Sequence, residues 1–497
     1  MATEVLELDP LYSNNMVIPA NKAFKISGTA ASNTDVYAEI DNQVLRTTSD
    51  ANGSWLIEVA PIESMVETTL KVQSLDEEIV VNNVKTGQVI LLTGQSNIEY
   101  EFQNDCEYQE QLKSINFKDA YYYNVPKLEY HDENQTLPVD LPIPAWKSVK
   151  DTTAGSLSAV GYWMLKRLKQ IYPDQVVGII DCYKGGTSAS SWVPEDVLQS
   201  DDELVATFIK PFHEAIDGKT TDDFKKEFAA YNAEVDDHNT KLSAFTKKYP
   251  EVSLSDAKDK VGHTPWPPPM TPTSFLRPNG LYHTMIEKVK NYPFNEVVWY
   301  QGENDAPNPK VYEKLLRGLI ISWRKLFNNT SLPFYIVQLP GYFDEPKDAW
   351  PMIRQSQLHA SQTINDVHLV SISDTGDMHN IHPESKRIAG TRLGEILSGI
   401  QYRDTPTVYK QEIVNNGLLL FVKNASTLNS RGNVYISIRN NQEWIKQEVY
   451  TQGNTVMIPN AEHAIEIRYE YKNFPKCTIF NEYGAPLSPF EMKVGRD

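Results

Sequence analysis

The stretch Gln88–Tyr100, QVILLTGQSNIEY, decides how the rest of the chain is read. Gln88 to Thr93 is a short run of aliphatic and β-branched residues, too short for a helix and closed by Gly94, the pattern of a buried strand. The chain turns at Gly94-Gln95, and Ser96-Asn97 opens a helix. A serine between a buried strand and a helix carries its hydroxyl at a sheet edge, near amides that favour developing negative charge. Serine is also a preferred helix N-cap, so the position taken alone fits a capping residue as well as a nucleophile.

Outward from this stretch, strands alternate with helical patterns. Candidate strands are 88–93, 176–181, 297–300, 334–338 and 368–373. Amphipathic segments near 158–170, 281–290, 311–326, 353–363 and 385–399 separate or follow them. Such alternation predicts a parallel sheet covered on both faces, with functional groups gathered beyond the carboxyl ends of its strands. Before it, residues 1–85 carry short alternating runs, FKISG (24–28), VYAEI (36–40) and WLIEV (55–59), set apart by turn residues. They predict a sandwich-like N-terminal β domain. After Tyr402 the β pattern returns in LLLFV (418–422), VYISI (434–438) and IEIRYE (465–470), predicting a C-terminal β domain over 403–497. Within the central domain, 86–402, a helical insertion spans about 201–275. Its 222–249 segment places Phe224, Phe228, Tyr231, Val235, Leu242 and Phe245 on one stripe, suited to docking on the α/β domain. A proline-rich connector, HTPWPPPMTPT, follows it.

A 497-residue chain is too long for one core. Its 40% hydrophobic and 23% charged content is that of a globular protein. A net charge of −18 argues against nucleic acid or an anionic membrane as partner. No apolar run approaches the roughly 20 residues that span a bilayer. MATEVLELDPLY has neither a basic start nor an apolar core, so the expectation is a cytoplasmic protein, or a secreted or periplasmic one whose signal has been removed. Cys106, Cys182 and Cys477 are widely spaced and odd in number, giving no disulfide framework and no metal spacing.

Three further stretches fall at strand ends. GIIDCYKGGTSASSW brings Gly185-Gly186, where a backbone N–H can approach a ligand or a turn simply needs positive φ. Ser188, Ser190 and Ser191 there are rival nucleophiles without the strand-turn-helix setting of Ser96. VVWYQGENDA brings Asn304, able to donate a hydrogen bond to an oxyanion. Glu303 and Asp305 are a poor fit for a two-carboxylate glycosidase pair, because residues this close in sequence point in different directions. DTGDMHNIHPESKR brings His382 in the loop after the last strand, where an imidazole can take and return a hydroxyl proton. Asp374, Asp377, His379 and His382 also have the look of a metal cluster. No HExxH or paired-cysteine companion supports it, and no metal or organic cofactor is expected.

The four blocks GQSN, GGT, GEND and IHP, in this order, resemble the SGNH (GDSL-type) hydrolases and, more narrowly, the sialate O-acetylesterase family. SAVGYWMLKRL, NGLYHTMIEKV, GTRLGEIL and YEYKNFPKCTIFNEYGAPLSPF resemble the family as well, so the likeness spans nearly the whole chain. It implies a three-layer α/β/α hydrolase domain with accessory β domains, and an acetylated carbohydrate as substrate, from sialic acid or a plant polysaccharide such as xylan. By the same resemblance Ser96 is the nucleophile and His382 its base. The oxyanion hole is formed by the amides of Ser96 and Gly185 and the side chain of Asn304, with Gln301 an additional candidate. Where the wider class carries an aspartate three residues before the histidine this chain has His379, so Asp374 or Asp377 is the candidate His-orienting acid. Gln95, Trp192 and Glu303 are candidate substrate contacts, with Tyr100 and Trp299 further aromatic candidates. A histidine base predicts that activity declines below roughly pH 6–6.5.

Overall fold

The structure, a computed structural model, describes residues 5–130, 144–346, 348–400, 404–441 and 443–495. Six parallel strands form its centre: β1 (Glu77–Gly94), β2 (Ala120–Asn124), β3 (Val177–Tyr183), β4 (Glu296–Tyr300), β5 (Phe334–Gln338) and β6 (Val367–Ser371). Their spatial order is β2-β3-β1-β4-β5-β6, with the two-residue strand Lys147–Ser148 antiparallel on the outer edge of β2. Val89 to Leu92 are wholly buried, which is why this part of β1 reads as a continuous apolar run rather than an alternation. β2 was not among the expected strands. Its three consecutive tyrosines, Tyr121 to Tyr123, are all buried in the sheet.

Around the sheet lie α1 (Ser96–Glu99), α2 (Ala159–Ile171), α3 (Thr221–Lys248), α4 (Leu254–Val261), α5 (Tyr312–Leu326), α6 (Ala349–Thr363) and α7 (Arg387–Leu397). α2 packs on α7 and α5 on α6. α2 meets the Leu92 side of β1, where Gly161 lies against the Leu92 methyl. Trp323 of α5 meets Trp299 of β4 edge-on, ring centroids 5.7 Å apart. The helix expected over 281–290 is instead a π turn, Tyr282–Ile286, running into a 3₁₀ turn, Glu287–Val289. Tyr282, Thr284, Met285, Ile286 and Val289 are all buried, and the widened turn brings more than one helical face inward. The stripe on α3 is half-buried along its length and packs on α4 and the proline-rich connector.

The N-terminal strands form two antiparallel groups. One joins Phe24–Thr29 to Ser54–Val59 and Glu7–Leu8. The other joins Asp35–Ile40, Gln43–Thr48 and Glu67–Ser74 to the first half of β1. β1 is one 18-residue strand, so the expected boundary at 85/86 falls inside it. The boundary expected at 402/403 lies outside the described residues. Beyond it, two four-stranded antiparallel sheets and the pair Leu428–Ser430 with Ile479–Asn481 follow. Gln338 donates to Ser488 Oγ at 2.8 Å, and buried Arg354 donates to the Pro340 carbonyl at 3.0 Å, tying β5 and α6 to the C-terminal strands and the adjoining loop. Among the described residues no helix is long and apolar enough to cross a membrane.

Candidate active site

β1 is flanked by β3 and β4, while the chain runs from β1 out to β2 before returning to β3. The crevice at the carboxyl end of β1 is therefore the switch point of the sheet, where ligands bind in open α/β folds. Gly94 at the end of β1 is in register with Tyr183 of β3 and with Tyr300 of β4, so the three following loops leave the sheet at one level. A Cβ on Gly94, which has φ +135°, would stand 2.0 Å from the Tyr300 carbonyl oxygen, so only glycine allows this turn.

Ser96 is the first residue of α1; the N-cap position belongs to Gln95, and no side chain caps the helix. The Ser96 hydroxyl is engaged elsewhere: Oγ lies 2.7 Å from His382 Nε2. The capping reading of Ser96 thus gives way to a serine–histidine contact across 286 residues of chain. Asn380 clamps the main chain of His382, donating to its carbonyl at 2.8 Å and accepting its N–H at 3.3 Å. Lys258 of α4 donates to the same Asn380 oxygen at 2.8 Å.

Burial, then the charges of Lys386 and Lys258, push the His382 imidazole down to about 4. Behind it a polar chain is buried: Lys386 Nζ donates to Asn97 Oδ1 at 2.7 Å, and Asn97 Nδ2 donates to Glu303 Oε1 at 2.6 Å. Burial pushes Lys386 down to about 7, against the opposing pull of Glu303 and Asp105, and pushes the Glu303 carboxyl up. Both shifts favour neutral forms, as low polarity demands.

The candidate oxyanion donors differ in availability. No described hydrogen bond takes up the Ser96 N–H. The Gly185 N–H donates to the Glu99 carboxylate, which also pairs with Lys127. The Asn304 side chain accepts from Trp266 Nε1 at 2.9 Å through its oxygen, and no described bond claims its NH₂ group.

Several expected roles do not survive the geometry. Gln301 is buried and spends its amide on the Thr187 carbonyl (3.2 Å) and Asp305 (2.6 Å), so it braces the wall instead of facing Ser96. Asp374 is held by Arg392 at 2.6 and 2.8 Å, and Asp377 accepts the His379 N–H at 3.4 Å; neither is bonded to His382. Gln95 is buried and accepts the Asn304 N–H at 3.1 Å, knitting two loops together instead of contacting substrate. Trp192 and Trp299 are fully buried and pack against each other, and Glu303 is buried with Asn97, so these three are internal too. Tyr100 is half-buried, its hydroxyl on the Asn104 carbonyl at 2.7 Å. Ser188 donates to Asp305 at 2.6 Å, and Ser190 and Ser191 are buried. The metal-like residues are dispersed, His379 pairing with Asp344 at 2.9 Å. Asn380, Lys258, Lys386, Glu99 and Trp266 were not singled out in the sequence. The asparagine two places before His382 was the one local signal. A cavity of about 710 Å³ lies at the opposite end of the sheet, lined by Gly87, Gln88 and Glu296 among others, and holds none of these groups.

The site is thus a serine–histidine pair at the switch point of a buried α/β sheet, and the comparisons liken the chain to carbohydrate esterases. A family model described as carbohydrate esterase, sialic acid-specific acetylesterase, matches residues 243–399, which include Asn304 and His382 but not Ser96 or Gly185. The sialate O-acetylesterase of Rattus norvegicus is 20% identical over 490 residues, covering 87% of this chain and 82% of its own; that of Mus musculus is likewise 20% identical. The crystal structure of a carbohydrate acetylesterase from Xanthomonas citri shares the fold, with a TM-score of 0.75 at 20% identity, over 99% of this chain and 100% of its own. Over these spans the chain is similar to sialate O-acetylesterases.

Proposed function

We propose that the protein removes O-acetyl groups from a carbohydrate through a serine acyl-enzyme on an SGNH-type three-layer hydrolase domain. The observation that carries this reading is the 2.7 Å contact of Ser96 Oγ with His382 Nε2 at the sheet's switch point. His382 takes the Ser96 proton as Oγ bonds to the acetyl carbon. The tetrahedral oxyanion is met by N–H donors, and the imidazolium returns the proton to the departing sugar oxygen. Water, deprotonated by the same imidazole, then attacks the acetyl-serine and releases acetate. Among the described residues no carboxylate is bonded to His382, and the loop that carries it is held through its main chain by Asn380. Sialic acid is the favoured sugar because the matching family model and the curated relatives carry that description. Acetate release from matched panels of acetylated sialic acids, acetylated xylan and pectin fragments tests it. Turnover should be fastest on the sialic acids; faster release from xylan would reassign the substrate, and no release from any panel would sink the esterase reading.

The pH profile follows from the burial of His382, to which the charges of Lys386 and Lys258 add. Neutral imidazole is the active form, and its pushed-down pKa, about 4, keeps that form in place well below the 6–6.5 expected from sequence. kcat/KM should stay level from pH 7 to about 5 and fall only as pH drops toward 4. Stability moves in the same window: the unfolded chain takes up the histidine proton near pH 6.5 and the native state only near 4, so stability declines as pH falls between them. Lys258→Met removes one repelling charge and should shift the acid limb upward. A wild-type limb centred near 6.5 would show that neither burial nor the lysine charges lower the His382 pKa in the active enzyme.

A further inference from the structure

The helical insertion reaches the site in two places. α4 bears on the histidine loop through Lys258 and through Ser255, whose hydroxyl accepts the His379 N–H at 3.0 Å. Beyond α4 the proline-rich connector lays Trp266 over the glycine block. Two ring atoms of Trp266 stand 2.3 Å from where a Cβ on Gly186 would be, and Gly186 has φ +71°, so glycine is required for the indole to lie there. α3 holds the connector in place, the Tyr231 hydroxyl donating to the Pro265 carbonyl at 3.0 Å. Yet Trp266 remains 52% exposed. Core packing does not account for a half-exposed indole on a backbone that must be glycine to receive it.

Its described polar contact has a directional consequence. A primary amide can rotate by half a turn and exchange its oxygen for its nitrogen at little steric cost, whereas an indole N–H is a donor only. The atom of Asn304 facing Trp266 Nε1 at 2.9 Å must therefore be the oxygen, which turns the NH₂ group away from the indole. Gln95 separately fixes the Asn304 main chain at 3.1 Å.

We propose that Trp266 is a positioning residue: it fixes the amide of Asn304 so that NH₂, and not the carbonyl oxygen, meets the oxyanion. The inference rests on the reading of Asn304 as an oxyanion donor. A flipped amide would set oxygen against developing negative charge, so the contact acts on the transition state more than on substrate binding.

Trp266→Phe keeps a ring over Gly186 and removes the N–H. On a soluble acetyl ester kcat should fall roughly 3- to 10-fold, with KM and melting temperature little changed. In an Asn304→Ala background the same substitution should cost nothing further, because the group it positions is gone. Tyr231→Phe, which loosens the connector from outside the site, should give a smaller loss of kcat in the same direction. A wild-type kcat for Trp266→Phe, an equal loss in the Asn304→Ala background, or a loss confined to KM would each overturn the proposal. If Asn304→Ala itself keeps wild-type kcat, the oxyanion reading of Asn304 fails and takes the inference with it.

Discussion

Ser96→Ala is expected to lower kcat on a soluble acetyl ester by at least about 10,000-fold, leaving only the background that substrate binding and the oxyanion donors provide. The fold should be indifferent to the change. Ser96 is partly buried, it caps nothing, and the described hydrogen bond of its hydroxyl goes to His382. The four-residue helix it opens is held by Gln95, whose carbonyl accepts the Ile98 and Glu99 N–H groups. His382→Ala should cost nearly as much, and the double variant should be no slower than Ser96→Ala, because nucleophile and base act as one unit. Acetate release with thermal melts of the three variants checks this. Residual activity near wild type in Ser96→Ala would remove the acyl-serine from the mechanism, and additive losses would separate the two residues.

The strands of the sheet were legible because burial on both faces leaves short apolar runs with glycine or polar punctuation, and 88–93, 334–338 and 297–300 fall within or on the observed strands. β1 shows what such a reading misses. Its outward half alternates between more exposed and buried residues as far as Gly87 and is continuously buried from Gln88 on, so the pattern changes within the strand while the strand continues. A shift in composition marks a change of surroundings, and that change can fall within one element. The site divides in the same way. Ser96, Gly185, Asn304 and His382 each follow a strand closely enough to be found from order along the chain. Lys258, Lys386 and Trp266 act through contacts that sequence distance conceals, while Asn380 lies two places from His382. The aromatic residues reverse the expectation most plainly: Trp192 and Trp299 sit beside the sequence blocks and are internal, while Trp266, on the proline-rich connector, is exposed and lies against Gly186 and Asn304.

Asn304→Ala is expected to lower kcat by about 100- to 1,000-fold, the cost of one oxyanion donor, with little change in KM. The expectation is at the strong end because of how the other donors stand. The Gly185 N–H is occupied by the Glu99 carboxylate, itself anchored by Lys127, and must be released before it can meet a substrate oxygen. The Asn304 NH₂ is free of any described partner and oriented through Trp266. The main-chain bond from residue 304 to Gln95 survives truncation to alanine, so the loop should keep its place. Asn304→Asp separates charge from geometry: the carboxylate can still accept from Trp266, yet it sets a negative group where the oxyanion forms. Its kcat should fall at least as far as that of the alanine variant. Steady-state kinetics on one ester, at a pH where His382 is neutral in all variants, reads both. If Asn304→Ala stays within a few-fold of wild type while Ser96→Ala is inactive, the oxyanion is held by the Ser96 and Gly185 amides, and Glu99 must leave its place on Gly185 in every turnover.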